Sequence, residues 1–335
     1  RNISGNNTWS APITMTAATR INSDSGTLQL GADADISGAG LALTVGGTGV
    51  VDIWGDLPTG AATYTKDGTG TNTLNNFSAT RTWTGATTIN AGLLQLTAAN
   101  GISDNSAMTI ASGATFDMAA GNDTIGSIAG AGSIVMGNST LTAGGDNSST
   151  TFSGVMSGAG GVLVKAGTGV LTLTGTSTAG GNTTVSAGTL IQNGTNSSSA
   201  VTVSSGSYLY GGGQVAALTI SGRASAGAAS NTAGKLQTAA LNLENNGILQ
   251  VELGAMSGTA GTDWDLVAAS GTITVNASDG SDFVIALKGD PTGFSSAQGW
   301  TNTIITAAGL SGVATNKVTV NTDEFVPDLG GGSFK

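Results

Sequence analysis

Residues 37–55, SGAGLALTVGGTGVVDIWG, return as residues 157–175, SGAGGVLVKAGTGVLTLTG, at a constant offset of 120 and without a gap. Ten of the nineteen positions are identical, among them Gly38/Gly158, Gly40/Gly160, Leu43/Leu163, Gly49/Gly169 and Gly55/Gly175. Two shorter echoes accompany this one. Lys66-Asp-Gly-Thr-Gly…Leu74 pairs with Lys165-Ala-Gly-Thr-Gly…Leu173. Gly85-Ala-Thr-Thr-Ile-Asn-Ala-Gly-Leu-Leu pairs with Gly181-Asn-Thr-Thr-Val-Ser-Ala-Gly-Thr-Leu. Each unit is a short alternating run closed by glycine, too small to bury an apolar face by itself. Stacked on its neighbours it can do so, and that is the logic of a solenoid.

The runs between the glycines read as strands. Thr27–Leu30, Leu41–Val45, Ala107–Ile110, Val170–Thr174, Val201–Val203 and Ala217–Ile220 alternate apolar and polar residues with period two. Leu28 and Leu30, Leu171 and Leu173, and Val201 and Val203 are the inward members, with threonine and glutamine facing water. Glycine supplies 55 of the 335 residues and proline only 4, which suits corners that turn within one or two residues. At about 20–25 residues per coil the chain makes about 12–14 coils. The fold expected is an all-β parallel β-helix over residues 1–240, continued by a C-terminal capping region or larger coils over 241–335. That last part holds all three glutamates and longer strands at Asp282–Lys288 and Trp300–Ile305. Disorder is the competing reading for a chain rich in glycine and serine, and the alternation confines it to Gly222–Gly234.

Charge narrows the partners. The net charge is −10 with a pI near 4.1, and the ten cationic residues are scattered, so nucleic acid finds no electrostatic footprint. No run approaches the roughly 18 apolar residues of a spanning helix, so no membrane insertion is expected of this chain. Cysteine and histidine are absent, which removes disulfides, thiolate metal sites and the commonest general base. A chain beginning at Arg1 reads as a processed or trimmed product.

Catalytic constellations are correspondingly thin. From Asn147 to Leu243, 97 consecutive residues carry no Asp or Glu. The acid pairs are Asp33/Asp35, Asp263/Asp265, Asp279/Asp282 and Asp323/Glu324, and their simplest role is to solubilise an edge or cap. Asp33 and Asp35, two apart on a strand, share a face. No Gly-Gly-x-Gly-x-Asp calcium pattern and no phosphate-loop motif occurs. No catalytic residue, metal or cofactor is expected. The candidate contacts with a glycan or protein partner are Trp54, placed outward beside Asp52, and Tyr208 and Tyr210, placed on one strand face.

Residues 158–191 resemble the autotransporter-associated β-strand repeat of bacterial surface and secreted proteins. Gly167-Thr-Gly-Val-Leu-Thr-Leu-Thr-Gly175 and Gly181-Asn-Thr-Thr-Val-Ser-Ala-Gly-Thr-Leu190 carry the resemblance. Residues 128–154 and the N-terminal ISGNNTWSAPITM look like spacers of such repeats, and Thr262-Asp-Trp-Asp-Leu266 looks like their C-terminal tail. The resemblance implies a right-handed β-helix, export, and a passenger or surface-fibre role. The function expected is a non-enzymatic extracellular or cell-surface scaffold that self-associates end to end or laterally into a fibre or matrix. A monomeric adhesin binding glycans or cells is the alternative, and a polysaccharide-active enzyme a third.

Overall fold

The computed structural model describes residues 1–75, 81–119, 121–227, 232–255, 257–278, 280–289, 302–312 and 317–325. The fold is an all-β parallel solenoid of about 11 turns. Contacts divide it into two compact units, one of Arg1–Leu171 with Gly175–Gly181, the other of Thr172–Thr174 with Asn182–Lys335.

In the first unit, one sheet stacks the strands Thr19–Ser23, Leu43–Gly47, Tyr64–Lys66, Thr87–Ile89, Ala107–Ile110, Ser127–Gly130 and Thr150–Phe152. A second stacks Asn7–Trp9, Thr27–Leu30, Val50–Ile53, Thr71–Leu74, Leu93–Leu96, Thr115–Asp117, Ser133–Val135 and Val155–Ser157. A third face opens with Asp123–Ile125, Thr140–Ala143 and Val162–Lys165. The register converts alternation into columns. Leu30, Ile53, Leu74 and Leu96 lie directly above one another and are buried. On the opposite side of a strand, Thr44, Thr65, Thr88 and Thr109 form an outer column. Each buried aliphatic contributes about 1.5–3 kcal/mol of transfer free energy, so stability is a sum of many neighbour contacts and not one large core.

The inward residues named from the alternation are buried, except that Leu28 is half-buried. The run Leu41–Val45 starts as a strand only at Leu43, because the Leu41 amide closes a turn on the Gly38 carbonyl (3.1 Å).

In the second unit, Thr189–Gln192, Tyr208–Tyr210, Arg223–Ser225, Ile248–Glu252, Phe283–Gly289 and Val318–Phe325 form one sheet. Thr183–Val185, Thr195–Val203, Gln214–Ile220 and Lys235–Leu243 form another, with Val203, Ile220, Leu243 and Val275 as an inner column. Beyond Leu243 the coils lengthen. In the first unit, contacts between successive coils span 18 residues from Thr140 to Asn122 and 25 from Lys66 to Ala91. They span 32–37 residues from Asn276 to Glu244 and from Thr319 to Asp282. Fewer turns than the 12–14 expected follow from these larger coils. Within Gly222–Gly234, residues 223–225 form a strand whose Ala224 is fully buried, and 228–231 lie outside the described residues. Trp300 of the expected strand Trp300–Ile305 also lies outside them, and its end is the strand Ile305–Thr306. Among the described residues no helix is long and apolar enough to cross a membrane.

The repeat corner and the candidate contact surfaces

Tyr64–Lys66 turns Tyr64 and Lys66 inward. Lys66 sits in register between Val45 and Ile89, an ammonium in an aliphatic column, and is 1% exposed. Its stem fills the column while Nζ reaches the corner. There it donates to the backbone oxygens of Asp67 (2.8 Å), Gly68 (2.8 Å) and Ala91 (3.0 Å). Two of these belong to its own turn and the third to the turn of the next coil. One side chain thus joins the Lys-x-Gly half of the repeat to its Ala-Gly half. Burial lowers the Lys66 pKa to about 8, with Asp67 opposing the shift and Arg20 adding to it.

The glycines of this corner follow from the same stacking. Gly68 and Gly92 are left-handed at φ +70° and +71°. A Cβ on Gly92 would stand 2.4 Å from the Gly70 carbonyl oxygen, 2.5 Å from that of Gly68 and 2.9 Å from Lys66 Nζ. Outside the corner, the Arg20 guanidinium grips the Asp67 carboxylate with both ends of its fork (2.6 and 2.8 Å). Gly46 lies in the coil between them, where a Cβ would strike Asp67 Oδ1.

A second internal anchor is made by hydroxyls. Thr87 is buried and accepts from Trp83 Nε1 (3.1 Å), and its hydroxyl meets that of Ser106 in the next coil (2.7 Å). Ser106 Oγ in turn donates to the Gly85 carbonyl (2.8 Å). Trp83 stacks on Tyr64 with centroids 6.0 Å apart. The second echo repeats both anchors. Lys165, also 1% exposed, donates to the Ala166 (2.7 Å) and Gly167 (3.0 Å) carbonyls, with Gly167 at φ +64°. Burial lowers its pKa as well. Thr183 meets Ser199 at 3.1 Å.

The family model described as the passenger-associated-transport-repeat matches residues 65–96 and 163–191. The chain carries two copies of this autotransporter-associated repeat. No curated protein matches it. Each matched copy of the repeat contains one buried lysine and one buried threonine anchor, so the signature of this repeat protein is the chemistry of its corners. Those anchors are structural. The candidate contact surfaces lie elsewhere.

Trp54 follows the strand Val50–Ile53, is 39% exposed, and donates Nε1 to the Asp52 carboxylate (3.0 Å). Asp52 also accepts from Asn75 of the next coil. Tyr208 and Tyr210 stand side by side on their strand, with centroids 6.5 Å apart and planes within 8°. Tyr208 is 39% exposed, Tyr210 is half-buried, and Leu209 between them points into the core. Of the other tryptophans, Trp9 is exposed, Trp83 and Trp264 are buried, and Trp300 is outside the described residues.

The acid pairs disperse. Asp33 lies in a turn ahead of the strand Ile36–Ser37, and Asp35 accepts from the Asp56 amide (2.8 Å), so they share no strand face. Asp263 accepts from the Thr259 amide (2.7 Å), whereas Asp265 is buried and accepts from Ser225 Oγ (2.8 Å), Gly234 N (2.9 Å) and Glu252 N (3.1 Å). Asp282 accepts from Thr319 Oγ1 (2.8 Å) and Asp323 from Asn321 Nδ2 (3.1 Å). Asp279 and the Glu324 side chain lie outside the described residues. Burial raises the Asp265 pKa to about 6. Burial likewise raises Asp123 to about 7, against donation from the Ile102 and Thr124 amides. Sequence reasoning had paired Asp265 with the wrong neighbour and passed over Asp123. It had also passed over the lysines, although their place in the Lys-x-Gly-Thr-Gly echo was visible.

Proposed function

We propose that the chain is part of an exported passenger and works as a non-enzymatic extracellular or cell-surface scaffold. The observation that carries this reading is the conjunction of the twice-matched transport repeat with a parallel solenoid whose buried lysines are bonded to their own corners. Such a chain crosses an envelope without a cysteine to be oxidised on the way. Its ladders then form between sequence neighbours. The outer columns, such as Thr44–Thr65–Thr88–Thr109, carry few charges that association would desolvate. Self-association into a fibre or matrix is the use of that surface we favour. A non-catalytic role is supported by the two carboxylates with the largest pKa shifts. Asp123 and Asp265 belong to different units, and each accepts hydrogen bonds from its own surroundings.

Electron microscopy of the protein near neutral pH across a concentration series tests the assembly. Filaments or sheets that grow with concentration are expected. Single particles at every concentration would sink self-association. They would leave the adhesive reading, which the outward Trp54 and the Tyr208–Tyr210 pair favour. A polysaccharide turnover that Asp265→Asn abolishes without unfolding the protein would overturn the non-enzymatic reading.

A further inference from the structure

We propose that the outer face around Tyr208, Tyr210 and Arg223 binds an anionic, uronate-bearing polysaccharide. The proposal rests on the adhesive reading and is independent of self-association.

Two rings two residues apart on one strand share a side, and here their planes are nearly parallel, at 8° with centroids 6.5 Å apart. Leu209, fully buried between them, fixes the strand they stand on. The preceding coil places Thr189 and Ile191 in register with Tyr208 and Tyr210, and the following coil places Arg223 beside Tyr208. The face is therefore a shallow shelf that carries two parallel tyrosine rings, one exposed and one half-buried, with a cation at its edge. Exposed tyrosine rings suit the C–H faces of sugar rings. A protein partner of comparable affinity takes its energy from anchors in desolvated pockets, which a shelf on a strand does not supply.

Arg223 supplies the sign of the ligand. Its Cζ lies 6.0 Å from the Tyr208 ring centroid. One guanidinium nitrogen donates to Gln250 Oε1 (2.9 Å), and Gln250 Nε2 donates onward to Glu252. That relay fixes the guanidinium and leaves most of its five donors for a ligand. Among the described residues Arg223 forms no ion pair with a carboxylate. The sequence around it shows the same bias. Tyr208, Tyr210 and Arg223 all fall within the 97 residues from Asn147 to Leu243 that contain no Asp or Glu, in a chain of net charge −10. Charges beyond about 8 Å are largely screened at physiological salt, so the local cation governs the approach of an anion. Of the nearby carboxylates, Glu252 and Asp265 are buried and hydrogen-bonded within the fold. A uronate carboxylate accepting from Arg223, with its ring on Tyr208 and the next sugar on Tyr210, satisfies every group on the shelf.

Isothermal titration of the whole chain with polygalacturonate and, separately, with dextran tests this. Arg223→Gln, the double variant Tyr208→Ala/Tyr210→Ala and the control Trp9→Ala, at an exposed tryptophan given no contact role, are titrated alongside, with thermal unfolding to verify folding. Polygalacturonate binding that weakens with salt is expected, as is a loss of about tenfold or more in both test variants and none in Trp9→Ala. Equal affinity for dextran, unchanged by Arg223→Gln, would overturn the acidic ligand and leave the adhesive reading standing. Absence of binding to either glycan would overturn both. Equal binding of polyglutamate, with the same loss in Arg223→Gln, would assign the shelf to an acidic peptide and overturn the glycan.

Discussion

Replacing Lys66 by methionine isolates the corner. Methionine keeps the stem that packs in the Val45–Ile89 column and removes only the ammonium. Three backbone carbonyls then lose a donor, those of Asp67, Gly68 and Ala91. A buried acceptor left without a partner costs about 1–3 kcal/mol. These three contacts are part-buried, so water restores some of the loss and the lower figure applies to each, giving about 3 kcal/mol. Relief from burying a charge works the other way, as the lowered lysine pKa records. The net destabilisation expected is about 2 kcal/mol. Urea unfolding followed by far-ultraviolet circular dichroism reads it as a lower midpoint at unchanged slope. Lys235→Met, on an exposed lysine, serves as control and is expected to move stability by less than about 0.5 kcal/mol. Lys165→Met is expected to lower the midpoint as well, because it removes the same kind of donor from the Ala166 and Gly167 carbonyls. If Lys66→Met falls within about 0.5 kcal/mol of the parent chain, the three contacts do not hold the corner and the reasoning fails.

Gly92→Ala is expected to lower the urea midpoint far more than Gly113→Ala. Both positions are left-handed, at φ +71° and +81°, but a Cβ meets two carbonyl oxygens within 2.5 Å at Gly92 and nothing within 4 Å at Gly113; equal losses would refute the stacking argument. Thr87→Val removes the acceptor of Trp83 and the partner of Ser106 and is expected to cost about 1–3 kcal/mol in the same assay, with a change in tryptophan fluorescence. Asp123 and Asp265 titrate near 7 and 6 in the fold, against 3.8 for an ordinary aspartate. The folded chain keeps these protons over a pH range in which the unfolded chain has lost them. Stability from these groups is therefore greatest near pH 4 and falls as pH rises toward 7. Asp123→Asn should flatten the urea midpoint between pH 4.5 and 7.5, and an unchanged pH slope would refute the burial account.

The sequence by itself determined the solenoid, the columns and the corners, because these depend on short-range rules. Period-two alternation fixes which of Leu28, Gln29 and Leu30 turn inward once a strand forms. Glycines such as Gly68 and Gly92 mark the turns between strands. The aromatic face of Tyr208 and Tyr210 was legible for the same reason, since residues two apart on a strand need no partner to share a side. What lay beyond one coil was not legible. Alternation alone does not distinguish an inward lysine from an outward one. Lys66 turns inward because the Ala91 carbonyl, 25 residues away, is brought to its ammonium by the stacking register. Lys66 and Lys165, equivalent in sequence, hang from different sheets of the first unit, which only the emergence of the third face at Asp123–Ile125 decides. Asp265 was readable as half of a sequence pair, yet its partner is Ser225, 40 residues earlier. Arg223 stands beside Tyr208 because one coil there takes up only the residues between them, and the length of a coil is set by which loop packs over which strand. Register between coils is a tertiary quantity. It turned a repeated sequence into one shelf with a cation beside it and left Trp9 and Trp54 facing solvent and Trp83 packed inside.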